Sequence, residues 1–233
     1  MKNKTLHEIQ VHILTELIKN NNATFTEMKP EDIENDQYNY HLKYLIKSGL
    51  IIKRDGKYSL SIKGKKYASN LDLFGQIQQL FKVSVALFVV NPTKYTILLQ
   101  KRLIEPFYGD INGFAGKIRL GENIIDAAKR KLNEECGLTG DFTLIGVHRK
   151  MKYYKEKLVE DAIYHSCYSE NPTGKLQKTN SFGEHKWYQL NEVINVISES
   201  VDVCKGDIEI MNRVINKNME LFYIESRIEL ASY

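Results

Sequence analysis

Residues Gly116–Leu138, GKIRLGENIIDAAKRKLNEECGL, form the stretch that decides the fold of this chain. Gly116 and Gly121 bracket a short loop, and a helical pattern follows it. The apolar residues of that pattern recur at spacings of three and four, as one buried helix face requires. They are Ile124, Ala127, Ala128 and Leu132. Gly137 suits the left-handed position that ends a helix. The stretch therefore predicts a loop followed by an amphipathic helix.

The last turns of the predicted helix carry Arg130, Glu134 and Glu135. Glu134 follows Arg130 by four residues, so the two side chains can share a face. Two neighbouring carboxylates beside a glycine-containing loop offer the oxygen ligands that Mg²⁺ prefers, with water and phosphate oxygens completing its shell. A solvated charged face is the alternative for any single pair of glutamates.

The spacing of the whole stretch resembles the Nudix box: Gly, five residues, Glu, seven residues, then Arg-Glu-apolar-any-Glu-Glu-any-Gly-apolar. The matching residues are Gly116, Glu122, Arg130, Leu132, Glu134, Glu135, Gly137 and Leu138. The resemblance implies an α/β/α sandwich that acts on a nucleoside diphosphate linked to another moiety. It implies that Glu134 and Glu135 are catalytic carboxylates that hold Mg²⁺ or Mn²⁺. It also implies a structural salt bridge between Glu122 and Arg130.

Two positions where the family is acidic are basic here, Arg119 and Lys131. Lys131 stands at the place of a third catalytic carboxylate. A cation beside a metal site repels Mg²⁺, and Lys131 is spaced to pair with Glu135 on the same helix. A Lys or Arg can also hold a diphosphate directly. Alternatively, Lys131 points to solvent and Glu184, in the stretch GEHKW, supplies the third metal ligand.

The segment before the box, RLIEPFYGDINGFAGK at residues 102–117, resembles a degraded form of the run that precedes the box in the family. Ala115 replaces the first of two paired glycines. Together with the two basic replacements, this segment predicts a group of residues that bind a ligand, rather than residues that only catalyse a reaction. That set is Arg102, Gly116, Arg119 and Lys131.

Length and composition describe a globular chain with room for two domains. The chain has 233 residues, of which 42% are hydrophobic, and no apolar run approaches a membrane-spanning length. The three cysteines are odd in number and widely spaced, which favours neither a disulfide framework nor a zinc site. We therefore expect a cytoplasmic protein without a membrane partner.

Residues 43–66 concentrate positive charge, with eight Lys or Arg residues against one acid, Asp55. Such a concentration is typical of a surface that binds nucleic acid, with a solvated charged face as the alternative. Helical patterns precede it: Thr5 and Glu8 have capping-box spacing, and Asp36 is placed to cap a further helix that Gly49 ends. Asp55-Gly56 between two short apolar runs then predicts a tight hairpin.

The helices and the basic hairpin together resemble a winged helix-turn-helix, in the stretch NYHLKYLIKSGLIIKRDGKYSLSIKGKKYA. The resemblance implies binding to double-stranded DNA, with the third helix in the major groove and the wing on phosphates. Tyr38 and Tyr40 have the core as an alternative, and winged helices also serve as protein–protein modules. The predicted DNA-binding residues are Gln37, Tyr38, Asn39, Tyr40, Lys43, Lys53, Arg54 and Lys57.

We divide the chain into a winged helix at 1–75, a Nudix domain at 76–200 and a C-terminal extension at 201–233. Residues 70–80 form the predicted join. Later strands are predicted at 83–90, 95–100, 142–147, 162–168 and 186–190, and helices at 191–198 and 208–216. Residues 221–224 are either a strand or a docking segment.

Three functions remain open. The first is a homodimeric transcriptional regulator that binds DNA and a nucleoside diphosphate-derived small molecule. The second is an active, metal-dependent pyrophosphohydrolase of compounds such as ADP-ribose or sugar nucleotides. The third is an adaptor with neither activity. Residue 131 discriminates between the first two.

Overall fold

The computed structural model describes residues 6–20, 22–68 and 81–231. The chain divides into two units, residues 1–80 and 81–233. The predicted join at residues 70–80 lies outside the described residues. Within the described ranges, no helix has the length and apolar character needed to cross a membrane.

The first unit combines helices with a small antiparallel sheet of three strands. Its apolar helix faces pack into one core around Ile13, Leu14 and Leu45. Its elements are α1 (Glu8–Lys19), β1 (Ala23–Thr24), α2 (Phe25–Met28), α3 (Asn35–Lys47), β2 (Ile51–Arg54), β3 (Lys57–Leu60) and α4 (Ile62–Ala68).

The ends of the first unit's helices differ from the predicted caps. Thr5 lies outside the described residues, and helix α1 is capped by His7, whose backbone N–H donates to Gln10 Oε1 at 3.0 Å. Helix α3 starts at Asn35, one residue before the predicted cap Asp36, and Glu34 at its N-cap makes no side-chain cap bond. Asp36 instead lies in the first turn, where the positive end of the helix dipole stabilises its carboxylate.

The predicted hairpin is present between β2 and β3. Asp55 has φ 48° and Gly56 has φ 77°, and two successive positive φ values are the geometry of a type I′ turn. The turn sets a register in which Arg54 pairs with Lys57. The basic residues of the hairpin are therefore concentrated at its tip.

The second unit is built on an eight-stranded sheet. Its strands are β4 (Lys82–Asn91), β5 (Thr96–Arg102), β6 (Ile111–Asn112), β7 (Phe114–Lys117), β8 (Leu138–Thr139), β9 (Thr143–Tyr154), β10 (Lys157–Glu170), β11 (Thr173–Gly174), β12 (Gly183–Gln189) and β13 (Phe222–Glu229). Its helices are α5 (Ile124–Cys136), α6 (Val193–Ser198) and α7 (Lys205–Ile215). The main sheet has the order β12–β5–β4–β10–β9–β13, and β8 and β11 pair separately.

Helices cover both faces of the main sheet, which gives the predicted three-layer α/β/α arrangement. Ala127, Ala128 and Leu132 of α5 pack on one face with Val85 and Leu87. Residues of α6 and α7 pack on the other face with Ile97 and Leu99. Along β5, Leu98 belongs to the first core and its neighbours Ile97 and Leu99 belong to the second, so alternate residues of one strand serve two different cores.

Segment 201–233 belongs to the second unit. Strand β13 pairs in parallel with β9 from Phe222↔Gly146 to Glu229↔Tyr153, so the predicted segment 221–224 enters a sheet strand at Phe222. Helix α7 contributes Ile210 and Met211 to the core beneath the sheet. Strands β9 and β10 extend well beyond the predicted runs at 142–147 and 162–168.

The main sheet opens between β4 and β5. These strands pair only at Val90↔Ile97 and Asn91↔Thr96, and then diverge. Beyond that point β7 pairs with β4, and β6 pairs with β5. The divergence leaves a gap in the sheet beside the helix that carries the box residues.

Candidate functional site

Helix α5 places the charged residues of the predicted box. Its buried face holds it on the sheet, and Gly137, with φ 70°, ends it in the left-handed conformation. Gly116 lies against Lys131, since a β-carbon at position 116 would sit 2.5 Å from Lys131 Cδ. The missing side chain at Gly116 thus lets the Lys131 alkyl chain cross the strand.

Glu122 and Arg130 form the predicted structural pair. Arg130 Nε donates to Glu122 Oε1 at 2.5 Å, and Nη2 donates to Glu122 Oε2 at 2.8 Å. Arg130 also donates to the Lys117 carbonyl at 3.1 Å, so one guanidinium joins the loop, the strand and the helix. The Arg130 side chain and the Arg119 backbone N–H both donate to Glu122 and lower its pKa to about 2.

Glu134 accepts hydrogen bonds from two guanidinium groups. Arg119 Nη2 donates to Glu134 Oε1 at 2.9 Å, and Arg130 Nη1 donates to Glu134 Oε2 at 2.9 Å. The Arg119 and Glu134 side chains are 65% and 43% exposed, so solvent screens this contact strongly. A phosphate could displace Glu134 from Arg119 at small cost.

Glu135 is held more tightly, because its side chain is only 6% exposed. Lys131 Nζ donates to Glu135 Oε1, and Gln100 Nε2 donates to Glu135 Oε2 at 2.9 Å. Gln100 Nε2 also lies 3.2 Å from His185 Nε2, whose Nδ1 lies 2.7 Å from the Gln177 carbonyl. Both oxygens of the buried carboxylate therefore have protein donors.

The prediction that Glu184 supplies a metal ligand beside Glu135 is wrong. In the β12–β5 pair His185 lies opposite Gln100 and Glu184 lies opposite Lys101. Side chains of successive strand residues project to opposite faces. Since Gln100 and His185 point toward Glu135, Glu184 points to the other face of the sheet.

A cavity of about 660 Å³ occupies the gap between β4 and β5. Its lining includes Arg102, Gly116, Lys131 and Glu135. Arg102 is fixed there by a 3.1 Å hydrogen bond from its Nε to the Pro106 carbonyl. The structure thus brings three of the four predicted ligand-binding residues to one cavity, while Arg119 lies on the loop beside Glu134.

A comparison with known protein families matches residues 80–204 to the NUDIX domain. The chain belongs to the NUDIX family. Among curated proteins, an oxidized purine nucleoside triphosphate hydrolase of Danio rerio is 29% identical over 112 residues, which cover 48% of this chain and 69% of that protein.

Solved structures agree on the fold of the NUDIX unit. The MutT protein of Bacillus halodurans matches with a TM-score of 0.54 and 22% identity, covering 65% of this chain and 95% of that one. A NUDIX hydrolase of Nitrosomonas europaea matches with a TM-score of 0.50 and 15% identity, covering 66% of this chain and 83% of that one. At these identities the likeness concerns the fold alone.

NUDIX hydrolases generally use divalent metals such as Mg²⁺ or Mn²⁺. The donor set of this box does not fit such an ion. A hard cation needs free carboxylate oxygens, whereas those of Glu134 and Glu135 accept from Arg119, Arg130, Lys131 and Gln100. The Lys131 ammonium also places a positive charge against the buried carboxylate.

The sequence analysis did not predict a second polar cluster, which lines the same cavity. Lys150 and Lys152 are buried on β9, 5% and 2% exposed. They pair with Glu160 on β10, with Asp202 before α7 and with Asp207 in the first turn of α7. Their two-residue spacing is the only signal in the sequence, since it puts both on one face of a strand. Nearby, ligand atoms of His148, Cys204 and Asp207 lie within 4.8 Å of one another, but Lys150 Nζ already lies 2.7 Å from Asp207 Oδ2.

In the first unit, the predicted DNA-binding residues fall into two groups. Gln37, Tyr40 and Lys43 are exposed on α3, and Asn39 is half-buried; Lys53, Arg54 and Lys57 are exposed on the hairpin. The prediction that Tyr38 contacts DNA is wrong, because its side chain is 0% exposed and packs edge-on against Phe25 at 5.3 Å. The alternative that Tyr38 belongs to the core is the correct one.

Replacing Arg130 with Ala is expected to lower the free energy of unfolding of the NUDIX unit, because Glu122 would lose the two-pronged partner of a partly buried pair. Urea unfolding can be followed by the fluorescence of Trp187, the single tryptophan, which packs against the core of this unit. Arg130→Lys keeps the charge but loses the two-pronged contact, so an intermediate loss is expected. Wild-type stability in both variants would contradict a structural role for the pair.

Proposed function

We propose that this protein is a transcriptional regulator. Its first unit would bind DNA as a winged helix-turn-helix, and its NUDIX unit would bind a nucleoside diphosphate-linked metabolite without hydrolysing it efficiently. The observation that carries this proposal is the Lys131 ammonium on the buried Glu135 carboxylate. It occupies the carboxylate that a catalytic cation would need.

The charges around the box favour a diphosphate as the ligand. Arg102 and Lys131 both line the cavity. Arg119 lies next to it on a mostly exposed salt bridge that a phosphate can replace. Guanidinium and ammonium groups bind phosphate oxygens through charge-assisted hydrogen bonds. They provide the positive charge that a metal ion would otherwise provide to the diphosphate.

The elements of the first unit support the DNA-binding half of the proposal. A helix pair, α2 and α3, precedes a two-stranded hairpin with basic residues at its tip. The exposed side of α3 carries Gln37, Tyr40 and Lys43, which suit a helix in the major groove. We propose a homodimer, since paired winged helices read paired half-sites.

A metal-dependent hydrolase is the second candidate. It is favoured by the likeness to the oxidized purine nucleoside triphosphate hydrolase of Danio rerio, at 29% identity over 112 residues. In this alternative, substrate or metal would displace Lys131 from Glu135. The two functions differ in whether ligand is consumed and whether metal is needed.

Binding of nucleoside diphosphate compounds in the presence of EDTA tests the proposal. The panel contains inorganic pyrophosphate, GDP, ADP-ribose, a nucleotide sugar and an oxidized purine nucleoside triphosphate. At 100-fold excess over Kd, a bound compound is expected to raise the melting temperature by roughly 5–10 °C. The compound should be recovered intact.

The same panel with Mg²⁺ or Mn²⁺ provides the opposing outcome. Rapid release of phosphate products that is abolished by Glu134→Gln would overturn the sensor function and establish the hydrolase. Glu134→Gln is suitable because Glu134 is largely solvent-accessible and its amide should preserve the fold. Trp187 fluorescence provides the check on folding.

A further inference from the structure

Strand β13 forms one edge of the main sheet. It pairs with β9 along its whole length without a register shift, and within the described residues no strand pairs with its other side. The opposite edge strand, β12, differs, because the segment 178–180 makes two backbone hydrogen bonds to it. An edge strand presents a row of unpaired N–H and C=O groups. Strand β13 contains neither a proline nor a bulge, which are two of the features that prevent further pairing at an edge.

The side chains of β13 alternate between the two faces of the sheet. The exposed residues on one face are Tyr223, Glu225, Arg227 and Glu229. The half-buried residues on the other face are Ile224, Ser226 and Ile228. The exposed face of this edge therefore carries both signs of charge at neighbouring positions, and the other face carries two isoleucines.

The charged groups of the edge keep capacity for a further partner. The Arg227 guanidinium lies over the Tyr153 ring, 4.0 Å from its centroid, and no acid of the described chain pairs with it. Stacking uses the face of a guanidinium and leaves its N–H donors available. Glu225 Oε1 lies 3.5 Å from Arg149, which pairs more closely with Asp161, and the Glu225 side chain is 44% exposed. Arg227 can therefore take a carboxylate from outside this chain, and Glu225 can take a further donor.

A groove of about 840 Å³ lies between β13 and the start of α7. Its aliphatic side chains are Val203, Ile208, Ile224 and Ile228. All four are half-buried. Apolar side chains that arrive on a further strand would remove more of this surface from water, which favours association.

We propose that β13 is the contact between two copies of this chain, which pair antiparallel about a two-fold axis at Ser226. In this register Glu225 of each copy lies opposite Arg227 of the other. Ile224 of each copy lies opposite Ile228 of the other, on the face that carries the groove. Directly opposite residues of an antiparallel pair have Cβ atoms roughly 4.5–5.5 Å apart, so these side chains are in contact. The same patch serves both copies, as a two-fold interface requires.

Charge selects this register over its neighbours. The axis must pass through a residue, because directly opposite side chains lie on the same face of a sheet. An axis at Glu225 would place this residue opposite its own copy, and an axis at Arg227 would do the same for the arginine. Like charges directly opposite each other are destabilising. The contact deepens the proposed function, since it locates the homodimer interface in the NUDIX unit, and it needs neither DNA nor ligand.

Sedimentation velocity of the full-length protein, without DNA or ligand, tests the contact. Wild type is expected to reach twice the chain mass of 27.0 kDa at micromolar concentration. Arg227→Glu is expected to raise the dimer Kd at least about 100-fold, because carboxylates then face each other at two symmetric places. Glu225→Arg is expected to have a similar effect, with guanidinium groups facing each other. Trp187 fluorescence checks that both variants are folded.

Combined variants separate this register from a general effect of charge. The double variant Glu225→Arg, Arg227→Glu exchanges the two charges, so opposite signs face each other again and the dimer is expected to return. An equimolar mixture of the two single variants is expected to form a heterodimer for the same reason. Lys186→Glu is the matched control, because Lys186 is an exposed cation 5.2 Å from the centroid of the Tyr188 ring on the opposite edge strand. It is expected to leave the dimer unchanged.

The outcomes separate this inference from the proposed function. A monomeric wild type, a dimer that survives Arg227→Glu, or single variants that stay monomeric when mixed would each overturn the β13 contact, whatever DNA or ligand the protein binds. A dimer that follows the expected pattern but binds neither DNA nor any compound of the nucleotide panel would overturn the proposed function and leave the β13 contact in place.

Discussion

Replacing Lys131 with Glu is expected to create a divalent-cation site and to raise Mg²⁺-dependent hydrolysis at least about tenfold over wild type. The substitution removes the ammonium from Glu135 and places a second carboxylate beside it. Two close carboxylates repel each other in a buried site, and a divalent cation relieves that repulsion. The cation would then supply Lewis-acid chemistry to a bound diphosphate.

Stability gives a second measurement of the same change. Without metal, Lys131→Glu should melt several degrees below wild type, since each kcal/mol shifts the melting temperature of a unit this size by about 2–4 °C. Mg²⁺ should restore the loss in the variant and leave wild type unaffected. The hydrolysis assay uses the substrate panel described above.

Two control variants separate charge from position. Lys129→Glu makes the same charge change on the same helix, where Lys129 pairs with Asp141 instead of the box. Lys131→Met removes the ammonium without adding a ligand. If Lys129→Glu matches Lys131→Glu, or if Lys131→Glu gains no metal response, then Lys131 does not suppress the cation site.

Removing the basic tip of the hairpin is expected to abolish most DNA affinity. The triple variant Lys53→Ala, Arg54→Ala, Lys57→Ala should bind duplex DNA roughly 10²–10³-fold more weakly at low salt. Each lost phosphate contact removes about one released counterion, so the slope of log affinity against log salt should flatten by about 3. Binding titrations at roughly 50 to 200 mM salt measure this slope.

A charge-matched variant in the NUDIX unit controls for net charge. Lys175, Lys178 and Lys186 are exposed, and replacing all three with Ala removes the same charge elsewhere. This variant should keep most of its DNA affinity and its salt slope. Equal losses in the two triple variants, or no binding of wild type to its own upstream DNA at low salt, would remove DNA recognition from the proposal.

Local patterns predicted the elements of both units well, because helix periodicity and turn chemistry act over short distances. Gly137 and Asp55-Gly56 lie where a left-handed helix end and a type I′ turn need them. The same reasoning failed for Tyr38, because successive residues of a helix point in different directions, so a core residue can lie directly between exposed ones. It also missed the basic half of β9, where Lys150 and Lys152 occupy positions that usually carry apolar side chains.

By itself, the sequence determined the fold family, the loop–helix unit and the Glu122–Arg130 pair, since these depend on fixed spacings within one short segment. Only the tertiary structure decided which protein donors the carboxylate oxygens of Glu134 and Glu135 accept from. Gln100 and Glu135 are 35 residues apart in the chain, and their contact depends on how β5 meets α5. Strand register likewise placed His185 rather than Glu184 toward the box, because a shift of one residue reverses the face of every side chain.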